Sequence, residues 1–551
     1  MDNQRLFLVA IFGFSLFMLW NAWQKHGQPV PAAAVTQSAP AGTANSASIP
    51  TPSAVAIAAP PASATAAPTA GAAAMATVKT DLFTAQISAN GGDIVRLELN
   101  QFRATGDQDR NFVLFDDSAS QTYQAESGLI GAEGLANHHT VYQLAPGTYE
   151  LKPDQDKLEL RMTAQSDKGI ASTLIYTFQR GSYEIQVTHE VHNGSAAAIT
   201  PQAYYQLVRD DKAPEGTESS RMGASAYTGP AFYTEQGKYQ TVDFADIAKD
   251  KAKVPGKAED GWVAMVQQYF VSAWLPQGKV GREFFARKLD QLYYAGVKVA
   301  MDSVAPGQTG SITVPLYVGP QERDKLEKIA PGLELVVDYG WFKVFAAPIF
   351  WILEFLHRFV GNWGWAIILL TVMIKAAFFP LSAASYKSMA KMRQLTPKLT
   401  KLKETYADDK QRMNQEMMEL YKREKVNPLG GCLPILVQIP VFIALYRVLL
   451  STVEMRGAPW LGWITDLSVK DPYYVLPLIM GATMLIQTKL NPTPPDPMQA
   501  KIMWIMPIVF TGMFLFFPAG LVLYWTVNNV LSIAQQWQVN RMIERAGLKT
   551  H

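Results

Sequence analysis

The sequence predicts an α-helical polytopic membrane protein that also carries a large all-β domain. Three observations lead there. Mean hydropathy of +0.01 hides a polar first part and a strongly apolar part after Trp341. Apolar runs of membrane-spanning length occur at Leu6–Trp23, Trp363–Pro380, Pro428–Leu450, Tyr473–Leu490 and Ile502–Gln538. Between the first two, period-two alternation replaces the apolar runs: Tyr183, Ile185, Val187, His189 and Val191 alternate with Glu184, Gln186, Thr188 and Glu190.

In chain order, Leu6–Trp23 reads as an uncleaved anchor (1–24). It is longer than a signal-peptide core and ends in Trp20 and Trp23, which suit a membrane interface. Residues 25–76 are Ala, Pro, Ser and Thr with hardly a charge. They bury too little surface to offset their ordering entropy, so they form a flexible linker. Residues 77–335 read as an antiparallel β-sandwich. Strands are expected at Leu158–Met162, Ser172–Phe178, Trp262–Trp274, Gln291–Val299 and Gly310–Val318. Asn90-Gly91-Gly92 makes a hairpin turn between Leu82–Ser88 and Ile94–Leu99. Residues 339–361 hold Lys343, Glu354, His357 and Arg358 among apolar residues and read as an amphipathic helix in the interface.

The second span is 363–381. Residues 382–427 follow; the stretch 385–427 holds eleven Lys/Arg against six Asp/Glu, interrupted by Ala407-Asp408-Asp409. That pattern reads as a cytoplasmic basic helical hairpin, with Pro397 kinking its first helix. Four further spans occupy 428–541, because Phe517-Pro518-Ala519-Gly520 splits an apolar run too long for one helix. A cytoplasmic tail of 542–551 closes the chain. The count is six spans with both termini inside, and parity then puts the sandwich outside.

One charge interrupts the second span, at Lys375. A Lys at mid-helix costs roughly 2.5–3.5 kcal/mol on insertion scales. Two readings stand side by side: the stem snorkels to the headgroups, or the amine faces a water-filled cavity within the bundle. Thr371 shares its helical face. Further along, Gln438 interrupts the third span, and Tyr524, Asn528 and Ser532 recur at i, i+4 on the last one. These polar positions read either as interhelical glue or as the lining of a hydrated groove. The basic hairpin likewise reads as a solvated face or as a docking surface for a ribosome, a nascent chain or anionic lipid.

Several functions are excluded or disfavoured. A single cysteine, Cys432, rules out an intramolecular disulfide framework. No P-loop, nucleophile elbow or HExxH motif occurs. His189 and His192 point to opposite faces of a strand and make a poor metal pair. No cofactor, metal or catalytic residue is expected, and a net charge of +2 does not indicate nucleic acid. A solute or ion transporter would explain the inward Lys and the polar stripes, but predicts an ion-binding carboxylate and repeated spans. A membrane-anchored sugar-processing enzyme would explain the sandwich but not five further spans.

The densest motifs are Gly361-Asn362-Trp363-Gly364, Tyr386-Lys387-Ser388-Met389-Ala390-Lys391-Met392, Lys425-Val426-Asn427-Pro428-Leu429-Gly430-Gly431-Cys432, Asp471-Pro472-Tyr473-Tyr474 and Pro518-Ala519-Gly520-Leu521-Val522-Leu523-Tyr524. Through them the whole chain resembles the YidC membrane protein insertases of Gram-negative bacteria. The resemblance implies a five-span insertase core and a periplasmic super-sandwich like that of sugar mutarotases. It implies insertion and folding of inner-membrane proteins, alone or beside the Sec translocon, through a hydrophilic groove closed outwards. The groove cation maps to Lys375, where many relatives carry Arg, and Lys loses the bidentate fork. Thr371 and Trp525 map to substrate-contacting places, with Gln438, Tyr524, Asn528 and Ser532 lining the groove and Phe442 on the exit face. Implied partners are nascent inner-membrane proteins, the Sec translocon and its accessory subunits, the ribosome and signal-recognition machinery, and the lipid bilayer. Cytoplasmic docking would fall to Lys387, Lys391, Arg393, Asp408, Asp409, Lys410 and Arg412.

Overall fold

Alternation along one strand sets the architecture of the first half. In the strand Glu184–Asn193, Ile185, Val187, His189 and Val191 are buried while Gln186, Thr188 and Glu190 are half-buried. A strand so patterned needs an apolar face opposite it, and a second sheet supplies one. In the computed structural model, ten strands form one sheet and eight the other. The structure describes residues 74–105, 107–214, 227–337, 339, 343–406, 409–424, 433–491 and 497–545. The expected anchor, residues 25–73 of the linker and Asp408 lie outside these residues, as do the side chains of Arg393 and Lys410; the linker's last residues, Met75 and Ala76, already belong to the strand Met75–Lys79.

The Asn90–Gly92 turn joins Phe83–Ser88 to Ile94–Ala104 in antiparallel register, Phe83 opposite Leu99. Gly91 and Gly92 hold φ of 80° and 74°, the left-handed region that favours glycine. Trp262–Trp274 is two strands, Trp262–Val266 and Phe270–Trp274, not one, because the chain reverses at Gln267–Tyr269. A parallel pair, Met75–Lys79 with Gly147–Glu150, departs from the expected all-antiparallel pattern. Four buried polar bonds cross between the layers. The Tyr176 hydroxyl donates to the Gly92 carbonyl at 2.6 Å, the Trp274 indole donates to the Gln206 carbonyl at 3.2 Å, His189 Nε2 meets Ser127 Oγ at 3.0 Å, and Tyr123 meets Ser272. They fix the stacking of the sheets in a way that apolar contact alone does not.

The helices are α1 (Phe244–Ile247), α2 (Arg323–Ile329), α3 (Lys343–Val360), α4 (Trp363–Ala377), α5 (Phe379–Thr405), α6 (Lys410–Arg423), α7 (Leu433–Ser451), α8 (Val475–Leu490), α9 (Pro497–Phe514) and α10 (Ala519–Arg545). In α3, Val344, Phe345, Trp351, Phe355 and Phe359 are exposed while Ala346, Phe350 and Leu353 are buried, giving an apolar outer face that suits lipid. Among the described residues no single helix is both long and apolar enough to cross a membrane, so the six-span count is not reproduced. The bent pair Trp363–Ala377 and Phe379–Met389 passes together, with a 65° angle between its halves. The single helix expected over 363–381 is thus two helices. Pro380 has no N–H to continue the ladder, and the helix breaks at Phe378. The proline-bearing run 515–518 separates α9 from α10. Pro397 lies within the one helix α5.

Burial holds the His189 imidazole neutral, with its pKa pushed down to about 4. The unfolded chain therefore takes up a proton below the ordinary histidine pKa that the folded chain refuses. This contribution is complete near pH 7 and is lost progressively as pH falls through about 6.5 to 4. The buried Asp93 and Glu126, whose pKa values burial raises, act with the opposite sign. Only the difference from a His189→Gln variant isolates the histidine. Denaturant unfolding at pH 7 and pH 5 is expected to show the parent losing about 1–2 kcal/mol more than the variant; equal losses would refute the assignment.

Candidate functional site

Lys375 sits in the last turn of α4, where the helix dipole favours positive charge. Lys375 is only 9% exposed. Its Nζ donates to Ser532 Oγ at 2.7 Å, and the Ser532 hydroxyl donates to the Asn528 carbonyl at 2.7 Å. The Tyr386 hydroxyl, from the first turns of α5, reaches the Ser532 carbonyl at 3.4 Å. Among the described residues no carboxylate forms an ion pair with Lys375.

One helical turn of α10 spacing supplies the rest. Tyr524, Asn528 and Ser532 are buried in one stripe. Gln438 of α7 donates to the Tyr524 hydroxyl at 3.3 Å and also meets Asn528 Oδ1. The structure thus joins Lys375, Ser532, Asn528, Gln438 and Tyr524 into a polar seam between α4, α7 and α10. It does not bring Thr371 into this seam. The Thr371 hydroxyl donates to the Ile367 carbonyl of its own helix at 2.7 Å and is 1% exposed. A threonine can satisfy itself on the preceding turn, so sharing a face with Lys375 does not make it a partner.

Trp525 and Phe442 belong to an aromatic cluster instead. Their rings lie 4.9 Å apart at 78°, and Phe514 packs 5.7 Å from Trp525. Among the described residues the buried Trp525 indole N–H has no partner, an unusual state for that group. Sequence reasoning missed Tyr386, which follows Ser382 and Ser385 at helical spacing; all three are buried. It also missed Asn529, which donates to Thr483 at 3.2 Å, and Gln536, which donates to the Leu490 carbonyl at 3.3 Å. A count of buried amides along α10 would have found both.

Against this geometry stand the comparisons. Residues 75–352 match the family model described as the YidC periplasmic domain, and residues 355–546 match that of the 60Kd inner membrane protein. A membrane protein insertase YidC from Aromatoleum aromaticum is 58% identical over 99% of this chain and 98% of its own length. The chain belongs to the YidC membrane protein insertase family. Its function is the insertion of proteins into the inner membrane, and no enzymatic reaction is part of that role. A solved YidC insertase covers 84% of the chain and 94% of its own length, at 17% identity and a TM-score of 0.37. A galactose mutarotase related enzyme from Lactobacillus acidophilus covers 44% of the chain and 97% of its own length, at 10% identity and a TM-score of 0.29.

The YidC-type hairpin of α5 and α6 has its own small core of Leu395, Leu399, Leu420 and Tyr421, and the Lys398 amine pairs with Glu424 at 2.7 Å. Two residues expected at a docking surface have local partners. Asp409 caps α6 by accepting from the Arg412 amide at 2.9 Å, and the Arg412 guanidinium lies 5.7 Å over the Tyr406 ring. Lys387 is exposed and Lys391 half-buried, four residues apart on one face.

At the end nearest the sandwich, the segment 452–471 packs across the helices. The Asn362 amide donates to the Pro459 carbonyl at 2.9 Å, and a Cβ at Gly364 would lie 2.1 Å from the Trp460 ring. The Gly520 and Ala519 amides donate to the carbonyls of Leu467 and Val469 at 2.9 and 2.7 Å. Asp471, fully buried, ends the segment. Its carboxylate accepts from the Trp463 indole at 3.0 Å and from the amides of Tyr473 at 3.0 Å and Leu476 at 2.7 Å, closing the start of α8. Asp471→Ala leaves all three donors unsatisfied and should cost about 3 kcal/mol, with Asp471→Asn losing less. Unfolding of the detergent-solubilised chain checks the order, and an alanine variant as stable as the parent would contradict it.

Proposed function

We propose that this insertase works through a polar groove built on the Lys375 seam, in a multi-pass inner-membrane protein with both termini cytoplasmic and the sandwich in the periplasm. The observation that carries the reading is the Lys375 ammonium, buried against Ser532 and without a carboxylate among the described residues. A hydrated groove shortens the apolar distance that a client's polar segment must cross and so lowers its desolvation cost. The unneutralised cation attracts acidic client segments. The client's apolar helix leaves past Phe442 and Trp525 into lipid, where burial stabilises it by about 25 cal/mol per Å². Partitioning and the membrane potential supply the free energy. Lys387, Lys391 and their neighbours on the hairpin receive the ribosome and signal-recognition machinery, and the Sec translocon acts beside the core for some clients.

The test is insertion of a short, acid-tailed, single-span client into vesicles with Lys375→Ala, Lys375→Arg and Lys375→Glu. A unit charge at about 4 Å contributes about 1 kcal/mol in water and about 4 kcal/mol in a surface-like dielectric. Alanine should therefore lower insertion by roughly tenfold or more, glutamate should lower it further, and arginine should restore it. Equal insertion by all three would make Lys375 a snorkelling residue and end the groove reading.

A further inference from the structure

The larger sheet buries residues on both of its faces. Along the strand Gln202–Arg209, Ala203, Tyr205 and Leu207 enter the core between the sheets. Tyr204, Gln206 and Val208 point the other way and are buried as well, outside that core. Register carries this outer face onto the neighbouring strands. Gln206 lies opposite Glu126 of Thr122–Ile130 and opposite Gly296 of Leu292–Ala300, and Gly296 lies opposite Phe285 of Arg282–Leu289. Two glycines keep the floor low. A Cβ at Gly128 would lie 2.5 Å from the Tyr204 hydroxyl, and one at Gly296 would collide with the Phe285 ring. The loop 137–139 forms a rim: the His138 amide donates to the Tyr204 hydroxyl at 3.0 Å, its Nδ1 meets the same hydroxyl, and His139 beside it is exposed.

Carboxyls and a guanidinium share this recess without pairing. Glu126 accepts from Gln124 at 2.7 Å and from Gln206 at 2.5 Å. Ile94 pairs with Ala125 on the inner face, so Asp93 falls on the outer face beside Glu126. After burial itself, Glu126 is the largest cause of the raised Asp93 pKa. The Arg287 guanidinium lies 5.3 Å from the Tyr294 ring and 5.7 Å from the Phe285 ring, and among the described residues no carboxylate forms an ion pair with it. Four polar atoms here are buried with no partner among the described residues: Arg287 Nε, Gln206 Oε1, Asp93 Oδ1 and the Tyr142 hydroxyl. Buried polar groups are normally bonded, so four orphans in one recess point to a ligand. The orphans include both donors and acceptors, and hydroxyl groups supply both. Glu126 and Arg287 carry opposite charges, which suits a neutral molecule. The Phe285 and Tyr294 rings offer apolar faces to the C–H side of a saturated ring, and the glycine floor leaves room for one. We propose that the outer face of the larger sheet binds a neutral hexopyranose through Glu126, Gln206 and Arg287. This site is independent of the Lys375 groove.

Saturation-transfer NMR of the full-length chain in lipid nanodiscs, free of glycoside detergent, tests it. The probes are glucose, galactose and N-acetylglucosamine, each titrated to saturation. At least one should bind with a Kd of about 1 mM, the range of a small ligand held by a few hydrogen bonds. Sorbitol, a polyol without the ring, should bind at least about tenfold more weakly, because it must lose its chain freedom on binding. Arg287→Met keeps the stem of a half-buried side chain that forms no ion pair, so the fold should survive, as unfolding of the variant checks. It removes the guanidinium donors and should weaken hexose binding by about tenfold, the factor of one charge-assisted hydrogen bond. Glu126→Gln should weaken it by a similar factor. Three results overturn the proposal: no saturable binding of any of the three sugars, parent-like affinity in a folded Arg287→Met variant, or sorbitol binding as tightly as the hexoses. The last would mark an adventitious polyol contact.

Discussion

An ammonium inside a helix bundle must be solvated by something, or it loses its proton. Lys375 finds its substitute for water in the Ser532 hydroxyl, itself anchored on the Asn528 carbonyl. It also lies in the last turn of its own helix, where the dipole favours a cation. That end exists because Pro380 cannot continue the ladder, and the chain bends there by 65°. Beyond the bend, the Tyr386 hydroxyl reaches the Ser532 carbonyl, so the residue that holds the cation is itself held from both helices. A straight helix through 381 would carry Tyr386 off in another direction.

The two halves of the chain follow different packing rules. In the sandwich, alternation buries one face of each strand, and a few cross-layer bonds from Tyr176, Trp274 and His189 fix how the sheets stack. In the bundle, apolar surface faces outward as well as inward: Ile502, Ile505, Ile508 and Val509 of α9 are exposed. Burial from water cannot hold such helices together in lipid, so close approach and polar contacts must. Gly481 shows the first, since a Cβ there would lie 2.2 Å from Thr511 Oγ1. Asn529 with Thr483, and Gln536 with the end of α8, show the second.

How much of this was legible beforehand depended on whether the signal was local. The period of two in 183–191 and the Asn90–Gly92 turn are written in consecutive residues, and the strands and hairpin formed accordingly. The stripe of Tyr524, Asn528 and Ser532 is also local, and its members do meet Gln438 and Lys375. Thr371 was misleading because a shared helical face does not say where a hydroxyl bonds, and its own Ile367 carbonyl was nearer. The break at Phe378 was hidden because hydropathy runs on smoothly to Pro380. The meeting of Glu126, Gln206 and Phe285 on one sheet face was illegible in principle. Their strands lie far apart in the chain, and no spacing rule reports a contact made by the fold.

The choice of partners around Lys375 carries the last step. An Asp or Glu at position 438 or 532 would satisfy the ammonium at least as well as Gln or Ser. It would also neutralise it, and a neutral pair presents no field to an incoming acidic segment. Amides and hydroxyls satisfy the donors while leaving the charge uncompensated. In the proposed groove the seam therefore accepts weaker bonds to its cation in exchange for a positive potential that acts on a client. Ser532, Asn528, Gln438 and Tyr524, the seam's other described members, are all uncharged, as that reading requires.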